Sequence, residues 1–396
     1  MKLGNIATGN DFFNRDSVRE DIWRYLADNH LILRGPRRLG KSSLLKRIAE
    51  EAEDRGLLVV NIDVGGASTV EQFISSLEQI LPDKTVKGYL KKLPEYASAW
   101  MDRVGKIDIS VAEVKAEINF NSMSAYDWYI RAMDFQQRIS DIPVIIQIDE
   151  FSVFLEKLLK EDLAEADALL SWMRAWRTGD NVVCRYIYTG SIGINYLLEC
   201  HQLDTRLNDC YEISLGPFKT KAAKEMIQTL AQRDNWKISS KVSDYLCEKT
   251  GWLSPFFINL LLDQSMLAAR DRTEELLTEE RNIINQDIDD GYERLITSRS
   301  RFSHWETRLE RHLKEPKLSF CKELLTAIAK SKDGLSLRQL STRLAKRQPD
   351  PDKRQNEIQH LLRKLEDEGY LTPPDDKSRV RFLSFLLRDY WKRNHA

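Results

Sequence analysis

The chain has 396 residues, of which 42% are hydrophobic and 31% charged, with a formal net charge of −1. This balance excludes an intrinsically disordered chain, and the length fits two or three domains. No apolar run approaches the roughly 18 residues that cross a bilayer, and the N-terminal residues lack the apolar core of a signal peptide; a cytoplasmic protein with no membrane contact is expected. The five cysteines are scattered, with no C-x-x-C spacing, so reduced thiols rather than disulfides or a zinc site are expected.

Asp11-Phe12-Phe13-Asn14-Arg15-Asp16 precedes an amphipathic helix with Val18, Ile22, Trp23 and Leu26 on one side. A short apolar strand, Leu31 to Leu33, then runs into Gly35-Pro36-Arg37-Arg38-Leu39-Gly40-Lys41-Ser42, and a helix-compatible stretch follows with Leu44, Leu45 and Ile48 on one face. This is the G-x-x-x-x-G-K-[ST] phosphate-binding loop in its required strand–loop–helix setting. Glycines let the backbone curl so that its N–H groups face phosphate oxygens, and the following helix N-terminus adds positive potential. The nine residues from Gly35 to Ser43 are therefore the expected nucleotide-binding positions. Lys41 would reach the β- and γ-phosphates, and the Ser42 hydroxyl would ligate Mg²⁺. The side chains of Arg37 and Arg38 have no evident role.

The arrangement of Phe13 and Arg15, helix, strand and GPRRLGKSSLL resembles the archaeal-type ATPases of the AAA+/STAND group. These are P-loop proteins of the additional-strand class, akin to origin-recognition initiators. The resemblance implies an α/β P-loop NTPase domain with a central parallel sheet, then an all-helical lid and a C-terminal winged helix. It also implies that Phe13 and Arg15 lie on the adenine side, although Asn14 stands where the group usually has glycine. Read from the residues alone, Phe12 and Phe13 are equally a hydrophobic staple for the following helix.

Further along, Leu57 to Ile62 reads as a second strand and Thr69 to Leu81 as a helix ended by Pro82. Residues 83–105 are polar and carry no clear pattern. Ile107 to Phe120 alternates apolar and polar residues as a β-hairpin would, an insertion near 106–121. After a helix from Trp128 to Ile139 comes Pro143-Val144-Ile145-Ile146-Gln147-Ile148-Asp149-Glu150. Four apolar residues before an acidic pair describe a buried parallel strand, and ligands sit at the carboxyl ends of such strands. Asp149 is the candidate Mg²⁺ residue and Glu150 the candidate for activating the attacking water.

Leu155 to Trp176 carries two helices, with Trp172, Met173 and Trp176 at core spacing, and Asn181 to Tyr188 is the next strand. It ends in Thr189-Gly190-Ser191-Ile192-Gly193, where the resembled group places a residue that touches the γ-phosphate. Thr189 and Ser191 are the candidates, Ser191 being taken as the catalytic one. Arg206, in the loop before the strand Tyr211 to Leu215, is the candidate arginine finger acting on a neighbouring subunit, with Arg185 second. Lys219 to Asp271 reads as helical. Its Gly251-Trp252-Leu253-Ser254-Pro255-Phe256 resembles a lid element whose proline, here Pro255, lies near the nucleotide.

Asp271 to Arg299 is charged and helical and leads to Phe302-Ser303-His304-Trp305-Glu306-Thr307-Arg308-Leu309, a recurring element of the resembled group with no evident chemistry. The tail reads as three helices and a wing around Pro373-Pro374-Asp375-Asp376. From Thr297 onward 23 Lys and Arg face 14 Asp and Glu, a surplus that suggests either a nucleic-acid contact or an intramolecular docking surface. Lys353, Arg354, Gln355, Asn356 and Gln359 would enter a major groove, with Lys377, Arg379 and Arg381 on the wing. The expected domains are a nucleotide-binding domain over 1–217, a lid over 218–298 and a winged helix over 299–396. The expected function is a Mg²⁺-dependent, ATP-hydrolysing switch that acts on a homo-oligomer or protein partner. The alternatives are an ATP-regulated duplex-DNA-binding protein and the ATPase of a defence or signalling complex.

Overall fold

Strand β1 (His30–Arg34) is buried along its first four residues, as its apolar run requires. The computed structural model describes residues 6–55, 57–80, 127–139, 142–179, 182–190, 193–275, 281–372 and 379–395. The insertion expected near 106–121 and the wing tip with Lys377 lie outside the described residues. By contacts the chain divides into two units: Ile6–Gly35 with Lys41–Leu215, and Pro36–Gly40 with Gly216–Ala396. The residues read from sequence as lid and winged helix thus fall in a single unit.

The first unit is the expected P-loop fold around a parallel sheet. Its strands β1, β2 (Leu58–Asp63), β3 (Val144–Asp149), β4 (Arg185–Gly190) and β5 (Cys210–Ser214) lie in the order β2-β3-β4-β1-β5. β4 is thus inserted between the strand that feeds the glycine-rich loop and the strand that ends in Asp149. All the pairings are parallel, so the carboxyl ends of the strands share one edge. The helices are α1 (Asp16–Leu26), α2 (Lys41–Asp54), α3 (Val70–Ile80), α4 (Asp127–Ile139), α5 (Phe151–Glu161), α6 (Leu163–Arg177) and α7 (Ile194–Cys200). Ile32, Val60, Ile62, Ile146, Ile148, Tyr186 and Tyr188 alternate along their strands. They share one core with Phe73, Trp128, Phe135, Phe151, Phe154, Trp172 and Trp176 from α3 to α6. On the other face the buried Gln147 donates Nε2 to the Leu45 carbonyl at 3.1 Å, tying β3 to α2.

The second unit contains α8 (Thr220–Arg233), α9 (Ser240–Thr250), α10 (Pro255–Glu275), α11 (Asn285–Thr297), α12 (Arg299–His312), α13 (Lys317–Ala329), α14 (Leu337–Arg343), α15 (Pro351–Asp367) and α16 (Phe385–His395). The continuous helical reading of Lys219 to Arg299 needs correction. β6 (Lys237–Ile238) and β7 (Asn282–Ile283) pair in parallel between these helices. β8 (Leu335–Ser336) pairs antiparallel with β9 (Arg379–Val380). Ser336 and Gln339 form the expected capping box.

Arg354 does not point outward. It is 8% exposed, and its guanidinium donates to Ser341 Oγ and to the Gln348 and Pro349 carbonyls. It stitches the turn before α15 to α14 and is not available to a nucleic-acid groove, whereas Gln355, Asn356 and Gln359 are exposed. Arg185 likewise cannot serve as a finger. It is buried and donates to the carbonyls of Leu26, Ala27, Val182 and Cys184.

His30 anchors the start of β1. Its Nδ1 accepts from Tyr186 N at 3.1 Å, so the tautomer carries hydrogen on Nε2, which donates to the Arg177 carbonyl at 3.2 Å. Burial, and then the charges of Arg177 and Arg185, lower its pKa to about 3. The folded protein therefore binds no proton here until far below pH 6.5, whereas the unfolded chain does. His30 favours the fold above the unfolded value, and that contribution is lost as pH falls toward 3. Urea unfolding of His30→Gln should show a stability slope between pH 6 and 4 that is smaller than wild type by about 1 kcal/mol per pH unit. Equal slopes would contradict the assignment.

Candidate nucleotide-hydrolysis site

The site is built at the carboxyl edge of the sheet in the first unit. β1 ends at Arg34, the glycine-rich loop turns, and α2 begins at Lys41. Gly35 passes under the end of β5: a Cβ there would lie 2.8 Å from the Leu215 carbonyl oxygen, closer than side-chain carbons approach. Arg38 and Gly40 have positive φ, +70° and +89°, and an alternation of left- and right-handed residues makes a concave nest of N–H groups. Lys41 is 8% exposed. Its ammonium donates to the Gly35 carbonyl at 2.6 Å, which lays the charge back along the loop.

The Asp149 carboxylate gathers the remaining parts. Ser42 Oγ donates to its Oδ2 at 2.6 Å. Its Oδ1 accepts from Glu150 N at 3.0 Å and from the Thr189 hydroxyl in a short hydrogen bond. A strand end (β3), a helix start (α2) and a neighbouring strand (β4) thus meet on one carboxylate. Glu150 follows in the left-handed region at φ +56°, rare for a residue with a side chain and found where a site fixes the backbone. Asp63 stands opposite Asp149 in the β2–β3 register, and its Oδ1 is engaged by Gly65 N at 2.9 Å.

The donor set suits a small hard cation. Ser42 and Asp149 offer a hydroxyl and a carboxylate oxygen. Mg²⁺ typically takes one or two such ligands and completes its shell with water and substrate phosphates. Among the described residues no group of three or more His, Cys, Asp or Glu could hold a metal ion.

Among the other candidate residues, Arg15 is buried, with φ +96° at the start of α1, and burial lowers its pKa to about 10. Asn14 also has positive φ, +51°, and its Oδ1 accepts from Arg15 N. Asparagine tolerates this conformation, which explains how it can stand where the resembled group has glycine. Phe13 is half-buried. The Ser43 hydroxyl accepts from Ala7 N at 2.9 Å, pinning the N-terminal segment to the first turn of α2. Arg206 lies on a short 3-10 helix (Asp204–Leu207), and its Nε donates to Asp167 at 2.6 Å. Ser191 lies outside the described residues. Pro255, Pro36, Arg37, Arg38 and Leu39 belong to the second unit, where Pro255 is the first residue of α10.

Two supporting residues escaped the sequence reading. The Arg177 guanidinium is buried and donates to both Asp209 oxygens, to the Arg206 carbonyl and to Tyr188 Oη, so it shapes the loop that carries Arg206. Lys157 donates to the carbonyls of Gly65 and Ala67 and pins the turn after β2. Neither belongs to a motif. Their only signal is a cation beside buried core residues of its own helix.

No protein-family model matches the sequence, and no curated protein matches it. Among solved structures the chain is similar to a Walker-type ATPase of Pyrococcus abyssi, at 16% identity over 99% of both chains with a TM-score of 0.65. It is also similar to the ORC2 protein of Aeropyrum pernix, solved as ADPNP–ADP complexes, at 14% identity over 99% of this chain and 96% of that one, with a TM-score of 0.51. At such identities the likeness is one of fold, and it extends over nearly the whole chain.

The Gly35 contact predicts that Gly35→Ala is destabilised by about 1–3 kcal/mol, the cost of forcing a methyl into a filled space. Urea denaturation of the two proteins measures this, and equal midpoints would show that the loop gives way freely.

Proposed function

We propose that this chain is a Mg²⁺-dependent ATPase that works as a molecular switch. Hydrolysis at the carboxyl edge of the sheet would reposition the C-terminal helices, read as a lid (218–298) and a winged helix (299–396), to control a protein partner or further copies of the chain. The observation that carries this reading is the Ser42–Asp149–Thr189 hydrogen-bond cluster, with Lys41 at one end and Glu150 adjoining. The similarity in fold to a Walker-type ATPase and to a protein solved with ADPNP and ADP supports an adenine nucleotide as substrate.

In this reading Lys41 exchanges the Gly35 carbonyl for a β- or γ-phosphate oxygen. A buried ammonium acts there in a medium of low polarisability, where its charge counts for more than in water. Ser42 and Asp149 hold Mg²⁺, which neutralises charge on the phosphates when bound. Thr189 keeps the Asp149 carboxylate turned toward Ser42. Glu150 takes the proton from water as the water oxygen bonds to the γ-phosphorus. The bond from that phosphorus to the β–γ bridging oxygen breaks, and its electron pair leaves with ADP. Ser191, two residues beyond Thr189, is proposed as the γ-phosphate sensor. Phe13 and Arg15 are proposed on the adenine side, and Pro255 as the lid residue that reports the nucleotide. Arg206 would complete a neighbouring subunit's site after releasing Asp167.

Lys41→Ala should weaken ATP binding by about 100-fold or more, as loss of a buried charge-assisted contact would. Glu150→Gln should hold ATP within about threefold of wild type while turnover falls about 100- to 10,000-fold, the range for removal of a general base. Fluorescent-nucleotide titration and phosphate release measure the two. The proposal fails if Lys41→Ala binds ATP normally or if Glu150→Gln hydrolyses at the wild-type rate.

A further inference from the structure

The arginines at the crest of the glycine-rich loop take no part in the chemistry above. By its contacts the stretch Pro36–Gly40 belongs with Gly216–Ala396, and within that unit several contacts hold it. α15 runs out into Glu368 and Gly369. Gly369 has φ +80°, and a Cβ on it would lie 3.4 Å from the Arg37 carbonyl oxygen and 3.5 Å from the Arg37 nitrogen. The helix end is flush against the loop main chain, in a conformation that favours glycine. The Glu368 side chain is only 4% exposed, and its Oε2 lies 3.5 Å from Arg37 Nε. The same oxygen accepts a short charge-assisted bond from Arg308 Nη2. The buried Ser254, one residue before α10, donates Oγ to the Arg38 carbonyl at 2.8 Å. The Arg38 guanidinium lies over the Phe256 ring, 4.3 Å from its centroid, with Nη2 3.4 Å from His304 Nε2.

These contacts give chemistry to the Phe302–Leu309 element that the sequence left unexplained. His304 and Arg308 are one turn apart on α12 and meet Arg38 and Glu368 respectively. Trp305, between them, packs against Phe257 and Tyr370, and Tyr370 Oη donates to the Trp305 carbonyl. The Arg37 arm of the shared carboxylate is longer than a hydrogen bond, whereas the Arg308 arm is not. Oε1 of Glu368 is buried and accepts no hydrogen bond among the described residues, so the carboxylate has capacity left for a closer Arg37 pair.

We infer that Glu368 is a positioning residue for the phosphate-binding loop, a latch whose carboxylate joins Arg37 of the loop to Arg308 of α12. Arg308 holds the carboxylate in place, and Arg37 is the arm that tightens or yields when the loop changes shape. Ser254 and Gly369 make the loop main chain follow. The ends of α10 and α15 thereby sense the loop, and their packing in turn selects the loop conformation that binds phosphate. The nucleotide part of this inference rests on the ATPase reading above; the latch contact does not.

Hydrogen exchange of the full chain without nucleotide tests the contact. Glu368→Gln should make the amides of residues 37–40 exchange about tenfold faster than wild type, as loss of a local closing contact does. Arg37→Gln should do the same, and the double variant should add little, because the two changes remove one interaction. Glu368→Gln should also weaken ATP binding about tenfold, since fewer molecules hold the loop in its binding form. Wild-type exchange rates in both folded single variants, or additive effects in the double, would overturn the latch. Faster exchange with unchanged ATP affinity would overturn the positioning role. Should Glu368→Gln fail to fold, Arg37→Gln on its own decides both points. A wild-type protein that binds no ATP would sink the ATPase reading and leave the latch to be decided by exchange alone.

Discussion

The Asp149 carboxylate, held by three donors from separate parts of the fold, is the constraint on which the site depends. Ser42 reaches it from the first turn of α2, Thr189 from the end of β4, and Glu150 through its own main-chain nitrogen. The sheet order makes this possible. With β4 between β1 and β3, the hydroxyl of Thr189 falls between the loop strand and the acidic strand. Three hydrogen bonds fix the Asp149 carboxylate, and under the proposed function a group so fixed would need little reorganisation when charge develops on phosphate. Glu150, in its strained left-handed conformation, is carried by the same turn.

The loop itself is divided between two sets of contacts. Its hinges, Gly35 and Lys41, belong to the sheet unit, and its crest, Pro36–Gly40, belongs with the C-terminal helices. A phosphate-binding loop needs main-chain N–H groups aimed at one point, so under the proposed function whatever fixes the crest would govern affinity. The buried carboxylate of Glu368, with a guanidinium on either side, suits such a task. A buried charge that has lost one partner is costly, so a pair of this kind favours a defined arrangement over a continuum.

Much of the fold was legible in residue patterns. The glycine-rich loop has a fixed spacing with a physical cause, and buried parallel strands read as apolar runs, so β1, β3 and the residues at their carboxyl ends could be placed from sequence. The arginines could not. Arg185 was weighed as a second finger and Arg354 as a base reader, and the structure instead turns both guanidinium groups onto backbone carbonyls. For Arg354 a signal was present: it lies four residues before Ile358, on the inward stripe of α15 with Leu361, Leu362 and Leu365. Glu368 gave no such signal. An acidic residue before a terminal glycine looks like any solvated helix end, and only the fold brings it to Arg37.

The most direct test of the account is the Mg²⁺ dependence of single-turnover ATP hydrolysis in Asp149→Asn beside wild type. If Asp149, aligned by Ser42 and Thr189, supplies the cation's carboxylate, the half-saturating Mg²⁺ concentration should rise about 100-fold or more, with nucleotide binding in the absence of metal little changed. Hydrolysis by Asp149→Asn at the wild-type rate and the wild-type Mg²⁺ requirement would contradict the account.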